Sequence, residues 1–280
     1  MDIRGDAREL IRRAVTEDLG GGGDVTSRAI VVPDAACRGA VLVKADGVIA
    51  GTAIFSGVFA ELDRAISVEW SVADGDAVGA GAEIGTVIGP ARPVLAGERV
   101  ALNFLQHLSG VATLTRRYVD ACEGTGSVVL CTRKTLPGLR SLERQAVESG
   151  GGMLHRAGLD DGVLIKDNHV RLAGGVTAAV KRAKAGAPPS MDVEVEVESI
   201  EELEEAIKAG TGAVLLDNPD LETVKRAVDV VAGRVPLEVS GGITLDRIRE
   251  IAAAGRLRIS VGRITHSAPA LDVSLELRTA

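Results

Sequence analysis

The sequence predicts an α/β chain in which a small mixed segment precedes a parallel barrel with fewer than the usual eight strand–helix units. Three observations lead there. Across the second half, strand-like runs alternate with helical runs at the spacing of βα units. Each of those strand-like runs ends in polar side chains. Hydrophobic residues make up 46% of the chain but aromatics only 2%, so the core must be built from Ala, Val, Leu and Ile.

The elements follow in order. Residues 7–19, ARELIRRAVTEDL, place Leu10, Ile11, Ala14, Val15 and Leu19 at helical spacing, and GGGGD at 20–24 stops that helix. Residues 38–51 read as strand, turn, strand, and 71–89 as short β runs broken by Asp-Gly and Gly-rich turns. A helical stretch rich in Ala, Leu and Arg then covers roughly 96–122. From there the rhythm is regular. SVVLCTRK (127–134) is strand-like and LRSLERQAVES (139–149) helical; GVLIKDNH (162–169) is strand-like and VTAAVKRAKAG (176–186) helical. MDVEVEVES (191–199) alternates strictly and reads as strand, and Ser199 and Glu202 then stand at capping-box spacing for the next helix. AVLLDNP and LETVKRAVDVVAG, then PLEVSGG and LDRIREIAAAG, repeat the pattern, and RISVGRITHS (258–267) reads as the last strand. The expected division is a first domain over 1–110 and a second over 111–280, with the last residues able to return to the first.

Composition excludes several classes. No apolar run reaches the roughly 18 residues of a membrane span, and MDIRGDAREL is polar from its first residues, unlike a signal peptide. The net charge of −7 argues against nucleic acid as a partner. Cys37, Cys122 and Cys131 lack metal spacing and are odd in number, which fits a reducing cytoplasm. Cys131 reads as a buried structural thiol rather than a nucleophile, and His107, inside LNFLQHLSG, as a packed or interface residue.

The chemistry collects at the strand ends, the edge that carries the active site in parallel barrels. Successive strands deliver Thr132, Arg133 and Lys134; Lys166, Asp167, Asn168 and His169; Glu196 and Glu198; Asp217 and Asn218; Ser240, Gly241 and Gly242; and Gly262, with Thr265 and His266 beyond. Arg133, Lys134, His155, Arg156 and Lys166 form a cationic set, costly to crowd together without an anionic ligand. Arg grips carboxylate or phosphate with two parallel hydrogen bonds and Lys acts as a point charge. That set suits a substrate with several carboxylates or phosphates. Glu196 and Asp217, two hard oxygen donors on successive strands, fit Mg²⁺ shared with a polyphosphate. The competing reading of Glu196 is a structural ion pair with Lys166. Alternation puts Glu194, Glu196 and Glu198 on one face. Ser-Gly-Gly between a strand and a helix offers backbone N–H groups to a phosphate.

Taken together, EDLGGGGDVTS, ERVALNFLQHLSGVATLTRRYV, TRKTLPGLR, GGGMLHRAGL, LIKDNH, EVEVES, LLDN, EVSGGI and VGRITHSAPALD resemble, in this order and nearly end to end, the quinolinate phosphoribosyltransferase family. The resemblance implies an N-terminal α/β sandwich domain and a C-terminal incomplete, open α/β barrel of the type II phosphoribosyltransferase kind. It implies a homodimer, or an oligomer built on dimers, in which the sandwich of one chain closes the barrel of the other. The implied reaction joins quinolinate to phosphoribosyl pyrophosphate with Mg²⁺, giving nicotinate mononucleotide, pyrophosphate and CO₂ for NAD synthesis. By the family pattern Arg133, His155, Arg156 and Lys166 hold the quinolinate carboxylates, and Arg99 reaches in from the neighbouring chain. Lys134 contacts phosphoribosyl pyrophosphate, Glu196 and Asp217 organise Mg²⁺ and the ribose, and Ser240, Gly241 and Gly262, with His266 close by, cradle phosphate. Lys134, Lys166, Glu196 and Asp217 are the expected catalytic residues. One position departs from the family: Leu154 stands where an asparagine usually precedes the His-Arg pair.

Three other readings are open on the residues alone. One is a phosphoribosyltransferase acting on nicotinate, which the number of cations disfavours. The second is a Schiff-base aldolase using Lys166. The third is a non-catalytic phosphosugar-binding relative, against which the whole polar set argues.

Overall fold

The computed structural model of the protein describes residues 5–279. Its first elements are α1 (Gly5–Leu19), α2 (Val25–Ile30), β1 (Ala36–Val43), β2 (Gly47–Val48), α3 (Thr52–Leu62), β3 (Ser67–Trp70), β4 (Ala77–Val78), β5 (Glu83–Pro90) and α4 (Ala91–Ala121). There follow β6 (Val128–Leu130), α5 (Arg140–Ser149), β7 (Val163–Ile165), α6 (Asp167–Ala173), α7 (Val176–Gly186), β8 (Val193–Val197) and α8 (Ile200–Ala209). The chain ends with β9 (Ala213–Asp217), α9 (Leu221–Val231), β10 (Leu237–Ser240), α10 (Leu245–Ala252), β11 (Arg258–Ser260), α11 (Arg263–His266) and β12 (Val273–Thr279). No helix is long and apolar enough to cross a membrane among the described residues.

The chain divides into two compact units, each discontinuous in sequence. The first holds residues up to Arg116, Leu136–Gly151 and those from Ser267 onward; the second holds Arg117–Thr135 and Gly152–His266. Position 110/111, the expected domain boundary, falls inside α4.

The first unit is built on a four-stranded sheet in the order β12-β1-β5-β3. β1 pairs antiparallel with both β5 and β12, so the end of the chain completes a sheet begun near its start. Three of the few aromatics gather on this sheet: Phe55 stands edge-on to Phe59 and Trp70, with centroids 5.2 and 5.1 Å away. Such geometry adds to what burial alone provides. The start of α3 is held by Asp74, whose carboxylate accepts from the Gly51 and Thr52 amides and the Thr52 hydroxyl at 2.9, 3.1 and 2.8 Å. Inside α4, Gly110 lies where a Cβ would overlap the Pro269 carbonyl oxygen and come within 3.0 Å of the Ala270 Cα.

The second unit is an incomplete parallel barrel. Its six strands run β6-β11-β10-β9-β8-β7. The first strand in sequence thus lies beside the last, with Val128, Val129 and Leu130 opposite Arg258, Ile259 and Ser260. Beyond β6 the ring continues for a single bridge, Leu130 to Met153. Met153 donates to Val129 O at 2.8 Å, and Cys131 donates to Met153 O at 3.0 Å. Among the described residues no ladder joins that segment to β7, so the ring has an open seam there.

Both faces of these strands are covered. Val193, Val195 and Val197 of β8, Val214 and Leu216 of β9 and Val239 of β10 are at most 5% exposed. The helices bury matching stripes: Val224, Ala227 and Val231 on α9, and Ile248, Ile251 and Ala252 on α10. Residues of the opposite parity, including Leu164, Glu196, Leu215, Glu238 and Ser260, face the barrel interior, where they line a cavity. The alternation of VEVEV therefore reflects a polar interior rather than a solvent-facing side.

Three element readings are corrected. GVLIKDNH is strand only to Ile165; Asp167, Asn168 and His169 form the first turn of α6, because the His169 ring accepts the Lys166 amide at 2.9 Å and bends the chain into a helix. RISVGRITHS is strand only to Ser260, α11 follows, and β12 is the last strand. The Ser199–Glu202 capping box is half made: Ser199 Oγ accepts the Glu202 amide at 3.1 Å, but Glu202 Oε2 takes the Glu198 amide at 2.8 Å. That bond keeps Glu198 past the end of β8 and exposed, off the face shared by Glu194 and Glu196.

Gly110→Ala is expected to lower the thermal midpoint by a few degrees. Overpacking costs about 1–3 kcal/mol, against roughly 1 kcal/mol of helix propensity gained. A thermal melt checks it; an unchanged or raised midpoint would show that the Pro269 segment yields.

Candidate active site

The strand parity that points side chains inward brings most of the expected residues to one place. A cavity of about 360 Å³ in the second unit is lined by Thr132, Arg133, Lys134, His155, Arg156, Lys166, Glu196, Asp217 and Ser240, together with Leu164, Leu215, Glu238 and Ser260. Glu196 is in register with Leu215 and Asp217 with Ser240, so the polar rim steps up from strand to strand.

Loop geometry sets the rest of the rim. Lys134 is pinned through its backbone: its amide donates to Thr132 Oγ1 at 3.0 Å, and its carbonyl accepts from the buried Thr265 hydroxyl at 2.7 Å. Gly262 leaves room where a Cβ would meet Lys134 Cδ at 3.1 Å and His266 Nε2 at 3.3 Å. His266 is exposed on α11 beside it. Gly241, at φ +93°, lies against Asn218, whose backbone amide donates to Ser240 O at 2.8 Å. Any Cβ at Gly241 would overlap the Asn218 amide group. Asn218 is itself left-handed, at φ +52°, and its Nδ2 donates to Asp217 Oδ2 at 2.7 Å. Left-handed backbone at these two positions, free for glycine and tolerated by asparagine, shapes the turn after Asp217.

Charge is distributed in two tiers. At the rim, Lys166 Nζ donates to Glu196 Oε2, which is the ion pair that the sequence offered as the competing reading of Glu196. Lower down, the His155 ring lies between two acids. Its Nε2 is 3.2 Å from Glu194 Oε2 and 3.4 Å from Glu238 Oε1. Glu238 is 1% exposed and also accepts from Ser260 Oγ at 2.5 Å. Donor atoms of His155, Glu194 and Glu238 all lie within 4.8 Å of one another. Hydrogen bonds to Glu194 and then Glu238 raise the His155 pKa from the ordinary 6.5 to about 9, against the lowering effect of burial. The Arg156 amide, 2.7 Å from Nδ1, favours a lone pair on that nitrogen and opposes the second proton. The two hydrogen bonds to the carboxylates are the stronger influence. Burial and then the Arg133 charge lower the Arg156 pKa, and Glu194 acts the other way. Arg156 Nη1 donates to Gly162 O at 3.2 Å.

Arg99 belongs to the first unit, exposed on α4. In that unit His107 Nε2 meets the fully buried Glu143 at 2.8 Å, and Glu143 Oε2 accepts the Leu136 amide at 3.2 Å. Leu154 does not line the cavity. The three cysteines are buried and none forms a disulfide. Glu238 lies inside its strand rather than at its end, and Ser260 ends a strand that the sequence pattern extends to Ser267. The signal was parity: Glu238 stands two residues before Ser240, as Glu194 stands two before Glu196.

Comparison with known proteins agrees over nearly the whole chain. The model of the quinolinate phosphoribosyl transferase N-terminal domain matches residues 24–109, and that of the C-terminal domain matches 111–276. The chain is 41% identical over 292 aligned residues to the mitochondrial quinolinate phosphoribosyltransferase [decarboxylating] 2b of Nicotiana tabacum, covering 98% of this chain and 83% of that one. It is 39% identical to the probable nicotinate-nucleotide pyrophosphorylase [carboxylating] of Bacillus subtilis, covering 96% and 93%. The solved structure of NadC from Streptococcus pyogenes superposes with a TM-score of 0.95 at 38% identity, covering 100% of this chain and 99% of that one.

The carboxylate pair gives His155 a definite titration. Its imidazole resonances, followed by NMR among only four histidines, are expected to titrate near pH 9, and Glu238→Gln should move the midpoint down. Because the folded pKa is raised, the linked stability is complete below about pH 6.5 and is lost as pH climbs through about 9. A midpoint at or below 6.5 in the unaltered protein would contradict the charged cluster.

Proposed function

The chain belongs to the quinolinate phosphoribosyltransferase family, and on that premise we propose that it transfers phosphoribosyl from phosphoribosyl pyrophosphate to quinolinate in a Mg²⁺-dependent, decarboxylating reaction. The products are nicotinate mononucleotide, pyrophosphate and CO₂, made in the cytoplasm for NAD synthesis. One observation carries the reading of the site: Arg133, Lys134, Arg156 and Lys166 line a single cavity with Glu196, Asp217 and Ser240. A molecule with two adjacent carboxylates and one bearing a phosphate and a pyrophosphate together supply the negative charge such a rim calls for.

In this reading Arg133, Arg156 and Lys166 grip the quinolinate carboxylates, with His155 beneath. Lys134 neutralises the phosphates of the other substrate, and the turn at Ser240 and Gly241, with Gly262 and His266, receives a phosphate. The pyridine nitrogen attacks C1 of the ribose as pyrophosphate leaves. Glu196 and Asp217 stabilise the positive charge that develops on the sugar. The 2-carboxylate then leaves as CO₂, its bonding electrons drawn toward the pyridinium nitrogen. Arg156 and Lys166 orient that carboxylate without holding it so tightly that release stalls.

The donor set suits the expected metal. Glu196 and Asp217 offer hard carboxylate oxygens from adjacent strands, and so few protein ligands suit an ion that keeps waters and substrate phosphates in its shell. Bound there, Mg²⁺ would neutralise the pyrophosphate leaving group. Lys166 must first give up Glu196, and an incoming quinolinate carboxylate is a suitable replacement partner for the lysine. The domain division at 110/111 and a homodimer with shared sites belong to the same proposal, with Arg99 reaching the cavity of a second chain.

A steady-state assay of nicotinate mononucleotide formation tests the assignment. Excess EDTA is expected to abolish turnover. Leaving a cation that the bound substrate covers without its carboxylate costs on the order of 2–5 kcal/mol. Nicotinate should therefore be worse than quinolinate by roughly 30-fold or more in kcat/KM. Equal efficiency on the two acids would reject the quinolinate assignment. The shared site predicts subunit complementation: inactive Arg99→Ala and Lys134→Ala chains, mixed under conditions of proven exchange, should regain activity because one site of each hybrid is whole. No recovery would argue for a site complete within one chain.

A further inference from the structure

Glu194 and Glu238 occupy barrel-interior positions that branched apolar side chains ordinarily fill. They are 9% and 1% exposed and lie on β8 and β10, with β9 between. Both aim at one atom, Nε2 of His155, at 3.2 and 3.4 Å. Ser260 Oγ braces Glu238 from β11 at 2.5 Å. On the other side of the ring, Nδ1 accepts the Arg156 amide at 2.7 Å. The imidazole is thus a strut. One end rests on two buried carboxylates and the other on the backbone that carries Arg156.

Around the strut the charges nearly balance. Glu194 on β8 and Glu238 on β10 face the ring, Arg156 follows it, and Arg133 repels Arg156. Lys134, the Lys166–Glu196 pair and Asp217 line the same cavity.

We propose that Glu194 and Glu238 are positioning residues that set the preference for a dicarboxylate: through His155 they fix where Arg156 stands before substrate arrives. This rests on the assignment of Arg156 and its neighbours to the quinolinate carboxylates. Neither acid is required to touch a reacting atom; the effect reaches the substrate through the ring and the Arg156 backbone.

Steady-state kinetics on the full chain, with quinolinate and phosphoribosyl pyrophosphate varied separately, provide the test. Glu238→Gln keeps the shape and removes the charge. It is expected to raise the KM for quinolinate roughly tenfold while the KM for phosphoribosyl pyrophosphate stays within about twofold. Glu194→Gln should act in the same direction. Ser260→Ala leaves both carboxylates and removes only the brace, so a smaller rise confined to quinolinate is expected, and this variant decides the matter if Glu238→Gln does not fold. An unchanged quinolinate KM in a folded Glu238→Gln protein, equal losses on both substrates, or an unaffected Ser260→Ala where that variant has to decide would overturn the positioning role. In each of those cases normal turnover of quinolinate by the unaltered chain leaves the family assignment standing. No turnover by the unaltered chain would instead count against the assignment itself.

Discussion

The second unit is organised around a constraint that most parallel barrels avoid, a charged group held inside the ring of strands. Burying one carboxylate costs several kcal/mol unless it is paired and hydrogen-bonded. Here two share one imidazole, 3.2 and 3.4 Å from its Nε2. The cluster also fixes the position of the His155–Arg156 turn, because the ring is tied to the Arg156 amide. The cationic rim above can therefore exist as a preformed surface, and a binding surface that is already ordered loses less entropy when its ligand arrives.

Support for this cluster comes from plain aliphatic construction. The outward valines and leucines of β8, β9 and β10 are almost fully buried, and α9 and α10 carry stripes of Val, Ile and Ala to cover such surfaces. With so few aromatics, many small contacts must do what a few large side chains do elsewhere. That division of labour leaves the inward face of each strand free for chemistry. One face stabilises, the other binds, and a shift of register by one residue would exchange them.

Much of this was legible in the sequence. The alternation of strand and helix patterns located the six parallel strands, and the polar residues at their ends marked the rim. Lys166, Glu196, Asp217 and Ser240 stand where strand-end reasoning put them. Less legible were features that depend on contacts between distant segments. β12 looks like an amphipathic tail until β1 is beside it, with Val41 opposite Leu275. Glu238 sits inside a run that reads as apolar strand, and nothing local reveals that His155, far away in sequence, will meet it. Turn chemistry explains the remaining differences. A His169 ring accepting the Lys166 amide starts a helix where hydrophobic periodicity alone continued a strand.

The gap between the Met153 segment and β7 makes the unit a cut hoop rather than a closed one. A hoop joined all round resists any change of diameter, because every inter-strand bond must stretch at once. A cut hoop has one soft direction, the width of the cut, and it can open or tighten while each remaining ladder keeps its length. Arg156 follows one lip of the cut and Lys166 follows the strand on the other. The spacing between these two cations is therefore the dimension of the pocket that the hydrogen-bonded frame constrains least, and it can be retuned by altering the residues 154–162 without rebuilding the barrel.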